Sequence, residues 1–426
     1  MSLAVISVAA LVLALAVSCT STVNVGVLAI VLAWVVGVYF GGLSVAQVVS
    51  GFPTSLFLTL VGVTLLFAQA QVNGTLDRIA QRTVGLCRGH AGIIPIMFFF
   101  LTAGLASIGP GNIAAAALVA PTGMAVASRY GISLFLMAIM IGNGASAGAL
   151  SPLAPTGIIV DGIMPTIGLP DAEWRMYLNN LFAHAVVAFG GYFLLGGWKL
   201  FVRREAGIDP HADGAGAAPG GLAVVPDAFE MRHWLTLGVI AALLVGVIGF
   251  DLNVGMGAFA GAVVLTLGRA ADEAQAMRAM PWRVIVMVTG VTVLIALLER
   301  TGGMDLFVDF LARLATPRSV TAVAAFFTGL ISIYSSTSGV VLPAFLPTIP
   351  GLIERLGGGD LMAVASAMNV GAHLVDVSPL STTGALCLAG APLAADNRAL
   401  FNKLLAWGLS MTLVGAVMCW VFFGVL

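Results

Sequence analysis

The sequence predicts an all-α polytopic membrane protein with two repeats of inverted topology, each containing about five transmembrane helices and one re-entrant hairpin. The first reason is composition, because 60% of the 426 residues are hydrophobic and only 9% are charged. A soluble fold of this size needs about a quarter of its residues charged to cover its surface. Most of the surface must therefore face lipid, and the mean hydropathy of +1.06 agrees with this. Two broken apolar stretches and an internal repeat are the other reasons.

The composition also excludes several classes of function. A net charge of −1 excludes a nucleic-acid binder built on a basic face. The four cysteines show no CxxC or framework spacing, which argues against a disulfide scaffold and a zinc site. The chain has no HExxH motif and no pair of intramembrane aspartates, so we do not expect an enzyme or a catalytic residue.

Ten apolar stretches are long enough to cross a membrane, and two further stretches are interrupted near their middles. The predicted spans are 2–19, 23–41, 54–70, 132–163, 177–201, 234–250, 254–268, 284–298, 361–387 and 398–424. The interrupted stretches are 91–128, broken at Gly109-Pro110-Gly111, and 320–352, broken at 335–338. Backbone groups freed at mid-membrane must be buried in protein or face water, so we expect two re-entrant hairpins. One straight helix for each stretch is the alternative.

The distribution of Lys and Arg predicts the orientation. With ten spans and two hairpins, 13 of the 18 basic residues fall on one side of the membrane and five on the other. The positive-inside rule makes the first side cytoplasmic, so both termini are expected outside. The first hairpin then opens to the cytoplasm and the second to the exterior. The first apolar run lacks a basic flank and a cleavage pattern, which favours a spanning helix over a signal peptide.

The chain divides near its centre. A linker rich in Gly, Ala and Pro, assigned to 203–233, lies on the cytoplasmic side. It separates a first repeat at 1–202, with the hairpin and the broken helix 132–163, from a second at 234–426. The second repeat holds the outer hairpin and the broken helix 361–387.

The two halves repeat in sequence. GVTLLFAQAQVNGTLD at 62–77 matches GVTVLIALLERTGGMD at 290–305, and SPLAPTG at 151–157 matches SPLSTTG at 378–384. Five spans separate equivalent points, so the second half runs through the membrane in the opposite direction. Inverted repeats with paired broken helices indicate a secondary transporter with its site at the repeat interface.

Four polar, helix-breaking stretches lie at membrane depth, at 107–112, 335–339, 142–152 and 369–379. Half-helices that start at such breaks direct their N-terminal N–H groups into the site, which favours an anion. Exposed carbonyls at the opposite half-helix ends suit a hard cation such as Na⁺. The sequence thus predicts one anion pocket flanked by two cation pockets, without a fixed basic side chain.

The order of hairpin, broken helix with SPLxxTG, linker, and the same again resembles the ion-transporter superfamily, which contains the divalent anion:sodium symporters. Within it the chain is most similar to the dicarboxylate carrier (MatC) family of bacterial permeases. The resemblance implies an elevator transporter whose hairpins and broken helices move against a scaffold that forms a homodimer. In divalent anion:sodium symporters, a Ser-Asn-Thr motif at each hairpin tip contacts the carboxylate and Na⁺. The matching tips here read differently, and Asn112 and Thr337 are the nearest equivalents.

Two sets of residues follow as candidates. We expect the substrate to be bound by Asn112, Ser151, Thr156, Thr337, Ser378, Thr382 and Thr383. We expect the cations to be bound by Ser107, Gly109, Asn112, Asn143, Gly144, Ser335, Ser338, Asn369, Gly371 and Asp376.

The expected function is Na⁺-coupled symport of a small dicarboxylate, of the malonate or four-carbon type, across a bacterial inner membrane. One alternative is the large permease of a tripartite, binding-protein-dependent carboxylate transporter. Others are a proton-coupled di- or tricarboxylate (citrate) symporter and a passive anion channel. Asp376 and His373 are ionisable residues in an unwound segment and favour protons. Two Na⁺ ions, however, balance a dianion directly, whereas one protonated Asp offsets only half of its charge.

Overall fold

The computed structural model describes residues 2–21, 23–85, 91–202, 228–250, 252–392 and 395–425, and within these ranges the chain forms helices and no strand. The first half contributes α1 (Leu3–Thr20), α2 (Val25–Trp34), α3 (Val45–Val49), α4 (Thr54–Val72), α5 (Thr75–Gly85), α6 (Ile93–Ser107), α7 (Gly111–Arg129), α8 (Leu134–Ala147), α9 (Pro155–Ile163), α10 (Glu173–Leu194) and α11 (Lys199–Val202). The second half contributes α12 (Met231–Phe250), α13 (Val254–Leu267), α14 (Glu273–Ala279), α15 (Trp282–Thr301), α16 (Gly303–Ala312), α17 (Val320–Ser332), α18 (Leu342–Phe345), α19 (Ile349–Leu356), α20 (Leu361–Leu374), α21 (Thr382–Ala389) and α22 (Asn397–Cys419).

Several of these helices form segments long enough to cross a membrane. Among the described residues, six helical segments meet the length and hydropathy needed, namely Thr54–Val72, Gly111–Arg129, Trp282–Thr301, Thr337–Leu356, Leu361–Ala389 and Asn397–Gly424. Shorter apolar helices accompany them, among them α1, α2 with its π-helical continuation, α6 and α8. The protein is therefore a multi-pass membrane protein.

The predicted apolar stretches coincide with helices, with three differences. The stretch predicted at 177–201 ends early, because Gly196 adopts a φ of +79° and closes α10 at Leu194. The helices α3, α5, α14 and α16 were not predicted, since α3 is short and charged residues interrupt any apolar run in the other three. Most of the predicted linker, 203–227, lies outside the described residues. The helix α12 begins at Met231, before the linker's predicted end at 233.

Both predicted hairpin stretches consist of two helical arms joined by a non-helical turn. In the first, α6 ends at Ser107 and α7 starts at Gly111, with φ of +137° at Gly109 and +79° at Gly111. A Cβ atom on Gly109 would lie 1.8 Å from Phe67 Cε2, so the tip requires glycine for both space and conformation. In the second, α17 ends at Ser332 and a π-helical turn, Thr337–Val341, leads into α18.

Two more helices break near their middles. The first break lies between α8 and α9, and the second lies between α20 and α21 and contains the 3₁₀ turn Val375–Val377. Ser151 in the first break donates a hydrogen bond of 2.6 Å to Ser107 O at the hairpin tip. This bond ties the first break to the first hairpin and satisfies a carbonyl that the end of α6 leaves free.

Close glycine contacts fix the helices that flank these broken segments. A Cβ atom on Gly290 of α15 would lie 2.2 Å from Gly26 O of α2. A Cβ atom on Gly62 of α4 would lie 2.5 Å from Gly255 O of α13. Backbone-to-backbone packing of this kind is typical of membrane helices, where small residues let helices approach closely.

Candidate functional site

A cavity of about 370 Å³, here called the central cavity, lies where the broken helices and hairpin tips meet. Its lining includes the starts of α7, α9 and α21, the residues after α17, and the segment after α20. The turn between α1 and α2 and the start of α15 also line it. The cavity is therefore built from both halves of the chain.

Three helix N-termini line the central cavity without a side-chain cap. Asn112, Thr156 and Thr383 are the second residues of α7, α9 and α21, and each lines the cavity. The residues before these helices, Pro110, Ala154 and Ser381, accept no capping hydrogen bond through their side chains. In α9, Pro155 has no N–H and Gly157 N–H donates to Ala149 O at 3.0 Å, so only Thr156 of the first three residues can offer an N–H to a ligand. Free N–H groups and the positive end of each helix dipole make such a place favourable for an anion.

Asp376 is held in the cavity wall by hydroxyl groups. Its Oδ1 atom accepts a hydrogen bond of 2.9 Å from Thr337 Oγ1 and one of 3.2 Å from Ser381 Oγ. Thr337 is also in short contact with Ser332 Oγ. The carboxyl side chain is only 4% exposed. Thr337 therefore links the second hairpin to the second broken helix through Asp376.

His373 lies one helical turn before Asp376 and also lines the central cavity. Its Nδ1 atom donates to Asn369 O at 2.8 Å, since a carbonyl can only accept. Its Nε2 atom has no partner among the described residues.

Arg283, the second residue of α15, lines the central cavity as well. This corrects the expectation that the anion pocket has no fixed basic side chain. The span predicted at 284–298 leaves Arg283 just outside it, among the 13 basic residues expected on the cytoplasmic side. The signal that could have revealed it is a difference between the repeats, because the equivalent position in the first half is Ser55.

The structure brings together part of the predicted set. Of the predicted substrate residues, those that line the central cavity are Asn112, Thr156, Thr337, Thr382 and Thr383. Of the predicted cation residues other than Asn112, those that line it are Ser335, Ser338 and Asp376. Gly109 instead lines an adjoining side cavity of about 270 Å³, which shares Asn112, Thr156 and Ser338 with the central cavity.

The other predicted residues do not line either cavity within the described parts of the chain. Ser107 Oγ donates to Ala103 O and contacts Tyr177 Oη at 2.9 Å. Ser151 bonds the hairpin tip, as described above, and Ser378 Oγ accepts a bond from the Leu380 backbone N–H. These serines stabilise the helix breaks through hydrogen bonds outside the two cavities.

Asn143 and Asn369 lie at similar depths inside α8 and α20, one position out of register with the repeat. Each is fully buried, and each side-chain amide donates to the carbonyl four residues earlier, at 3.0 and 2.9 Å. Asn143 Oδ1 also pairs with His184 Nδ1, whereas Asn369 Oδ1 has no partner among the described residues. Next to them, Gly144 and Gly371 allow close helix packing, because a Cβ atom on either would meet a backbone oxygen within 2.5 Å.

Residues 144–148 read GASAG and match the GxSxG pattern of serine hydrolases, which the sequence analysis overlooked. The pattern needs a sharp strand-to-helix turn that exposes the serine. Here residues 144–147 belong to α8, and Ser146 is fully buried with its Oγ unpartnered among the described residues. The match therefore lacks the structural context of a nucleophile.

A third cavity of about 650 Å³, here called the acidic cavity, lies at the other end of α15. Thr292, Ala296 and Glu299 of α15 line it, whereas Arg283 and Met287 line the central cavity. Asp161 and Glu173 add two more carboxyl groups to its wall.

The overall fold is that of known membrane transporters. The YdaH transporter of Alcanivorax borkumensis superimposes with a TM-score of 0.60 at 17% identity, over 91% of this chain and 89% of that chain. MtrF of Neisseria gonorrhoeae, described as illuminating a class of antimetabolite efflux pumps, superimposes with a TM-score of 0.59 at 13% identity, over 90% and 83%. At these identities the likeness defines the fold alone.

One family model matches the first part of the sequence. Residues 1–149 match the family model described as the dicarboxylate carrier protein MatC N-terminus. The predicted resemblance to MatC carriers is therefore confirmed over the first third of the chain. No curated protein sequence gave a significant match.

Proposed function

We propose that this protein is a secondary active transporter that imports a small dicarboxylate, of the malonate or four-carbon type, together with Na⁺. The observation that carries the proposal is the central cavity, where three uncapped helix N-termini and Arg283 surround a volume of about 370 Å³. Such a lining favours a small anion with more than one negative charge. The match of residues 1–149 to a dicarboxylate carrier family supports the same substrate class.

The charges in the central cavity support coupling to cations. Arg283 and Asp376 carry opposite formal charges and offset each other. A dianion would therefore bring two uncompensated negative charges out of bulk water, which costs many kcal/mol without counter-charges. Two Na⁺ ions bound beside it would cancel that charge. Ser335, Ser338 and Asp376 supply oxygen atoms of the kind that a hard cation prefers.

The hydrogen bonds of Asp376 leave one carboxyl oxygen available to Na⁺. Two hydroxyl groups, of Thr337 and Ser381, donate to the same carboxyl oxygen. An ionised carboxylate accepts only, so this arrangement suits the charged form and leaves Oδ2 for a cation. A proton-coupled carrier is the second candidate, because His373 lines the same cavity with an unpartnered Nε2.

Equivalent contacts in the two halves support an inverted repeat. The α15–α2 contact through Gly290 and Gly26 has a counterpart in the α4–α13 contact through Gly62 and Gly255. Gly290 lies 228 positions after Gly62, and Gly255 lies 229 positions after Gly26. Each contact thus pairs one helix of the first half with one helix of the second half, as two interlocked inverted repeats would require.

The same symmetry extends to the broken helices. A Cβ atom on Gly157 would collide with Ser151 O, and one on Gly384 would collide with Ser378 O, and both the glycines and the serines are 227 positions apart. These paired positions support an inverted repeat that includes both broken helices. The proposed elevator motion, in which the hairpins and broken helices move together against a homodimeric scaffold, follows from the resemblance to the ion-transporter superfamily.

The positions of the cavities support alternating access. The central and acidic cavities lie at opposite ends of α15. If the positive-inside rule holds, the start of α15 is cytoplasmic and the central cavity opens inward. Both termini then lie outside the inner membrane of a bacterial cell.

Reconstitution of the purified protein tests the proposal. Liposomes that contain this chain alone should accumulate labelled malonate or succinate when Na⁺ is supplied outside. Inactivity that is relieved only by a binding protein and a small membrane subunit would favour a tripartite permease. Uptake that no ion gradient accelerates would indicate a passive channel.

A further inference from the structure

The central cavity has two chemically different walls. One wall carries the polar residues of the hairpin tips and broken helices, among them Asn112, Thr337 and Asp376. The other wall consists of Val25 of α2, Val284 and Met287 of α15, and neighbouring residues. Arg283 extends from this second wall. A basic group therefore faces a polar wall from a wall that is mostly apolar, with Ser21 as its other polar residue among those described.

The backbone of Arg283 is firmly held. Asn24 Nδ2 donates a hydrogen bond of 2.9 Å to Arg283 O, which fixes the start of α15 to the start of α2. Gly26 reinforces this contact, because a Cβ atom there would lie 2.1 Å from Val286 O. Arg283 thus lies at the start of a helix whose backbone packs directly against that of α2 at Gly26.

A guanidinium group differs from the other anion-binding elements of the cavity. The uncapped N-termini of α7, α9 and α21 offer N–H groups with partial charge. Arg283 offers a full positive charge and a planar pair of donors that matches a carboxylate. Among the described residues that line the cavity, it is the only Lys or Arg.

We propose that Arg283 is the residue that selects a second carboxylate, with the helix N-termini binding the first. This inference rests on the proposed function and adds to it the group that distinguishes a dicarboxylate from a monocarboxylate. Because Arg283 belongs to the α2–α15 wall, it contacts the substrate only while the polar wall lies opposite that wall. The contact therefore forms in the state in which the central cavity is open. It is lost in the state that opens to the opposite side of the membrane.

The test compares Arg283→Gln with wild type and with Arg283→Lys. Arg278→Gln is the matched control, because Arg278 is exposed on α14 and does not line the cavity. Binding of succinate and of its monomethyl ester is measured by thermal shift of the detergent-purified protein. Uptake is measured in liposomes with the protein inserted in each orientation.

We expect Arg283→Gln to weaken apparent succinate affinity about ten-fold or more while changing affinity for the monoester less than three-fold. Arg283→Lys should recover part of the loss, and Arg278→Gln should behave as wild type. The loss should appear when substrate is offered to the side on which the central cavity opens and be small from the other side.

Equal succinate affinity and equal preference over the monoester in wild type and Arg283→Gln would overturn the inference, as would an equal loss from both sides. If Arg283→Gln does not fold, Arg283→Lys decides, because wild-type affinity and preference in that variant contradict a bidentate contact. Absence of dicarboxylate binding and uptake in the wild-type protein would instead refute the proposed function itself.

Discussion

Asn112, Thr156 and Thr383 occupy the same place in three different helices, the second position of an uncapped N-terminus. At this position a side chain can reach a bound anion together with the free N–H groups of its own helix. The three residues come from the first hairpin and from both broken helices. An anion bound among them would hold these elements together.

Asn112 is the first residue to test. A hydrogen bond to a charged group contributes about 1.5–3 kcal/mol, so Asn112→Ala should weaken the apparent affinity for a dicarboxylate roughly ten-fold or more. Uptake kinetics in liposomes measure this effect. Asn397→Ala is the control, because Asn397 is exposed at the start of α22. Wild-type affinity in both Asn112→Ala and Thr337→Ala would mean that the substrate binds elsewhere.

Asp376 and Thr337 give a second prediction. Thr337→Ala removes a hydrogen bond to Asp376 Oδ1 and the contact with Ser332. We expect the Na⁺ concentration for half-maximal uptake to rise, because a carboxylate without this donor is less well positioned for the cation. Thr337→Ser keeps the hydroxyl group and should restore the wild-type value. An unchanged Na⁺ dependence in Thr337→Ala would separate Thr337 from the cation site.

The sequence predicted the cavity residues that lie at helix breaks, because Gly, Pro and Ser clusters in an apolar chain mark unwound backbone. It did not distinguish residues that face the cavity from those behind it. Thr156 and Ser151 belong to the same motif, yet only Thr156 lines the cavity. Arg283 escaped notice because a basic residue at the start of a span fits the positive-inside rule equally well.

At the scale of helices, the hairpin interpretation makes a labelling prediction. Pro110 lies at the first tip and lines the side cavity, near Ala279 and Pro281 at the same end of α15 as Arg283. A cysteine at Pro110 should react with a membrane-impermeant maleimide added from the cytoplasmic side only. Equal labelling from both sides under all conditions would favour a straight helix or a pore.

Helix packing gives a stability prediction. Gly290→Ala would place a methyl carbon 2.2 Å from Gly26 O, so we expect the melting temperature in detergent to fall, with about 1–3 kcal/mol of overpacking. Gly238→Ala on α12 is the control, because no atom lies within 4 Å of the added carbon. Alanine is the better helix former, so this variant should be neutral or slightly stabilising. Equal melting temperatures for the two variants would contradict the packing between α2 and α15.

The positions of most helices could be predicted because lipid-facing helices require long apolar runs. The helices α5 and α16 could not, because their apolar residues are spaced along one face among charged ones. The early end of α10 depends on a single glycine with positive φ, and glycine is common throughout this chain. The local sequence therefore predicted where most helices lie better than it predicted the residues at which they end.

At the scale of the whole molecule, the two halves contribute equivalent glycine contacts but different charges to the central cavity. Asp376 and Arg283 both belong to the second half, and their equivalents in the first half are Ala149 and Ser55. Both halves thus contribute uncapped helix N-termini and a helix break to the central cavity. The second half alone contributes Asp376 and Arg283, to which we have attributed cation and carboxylate binding.

The most direct test of the proposed function is uptake of labelled succinate by liposomes that contain only this protein. With an inward Na⁺ gradient and no pH gradient, we predict accumulation that rises steeply with external Na⁺ and survives, reduced, in Asp376→Asn. Full accumulation driven by a pH gradient in Na⁺-free buffer, and abolished by Asp376→Asn, would contradict Na⁺ coupling and identify a proton symporter.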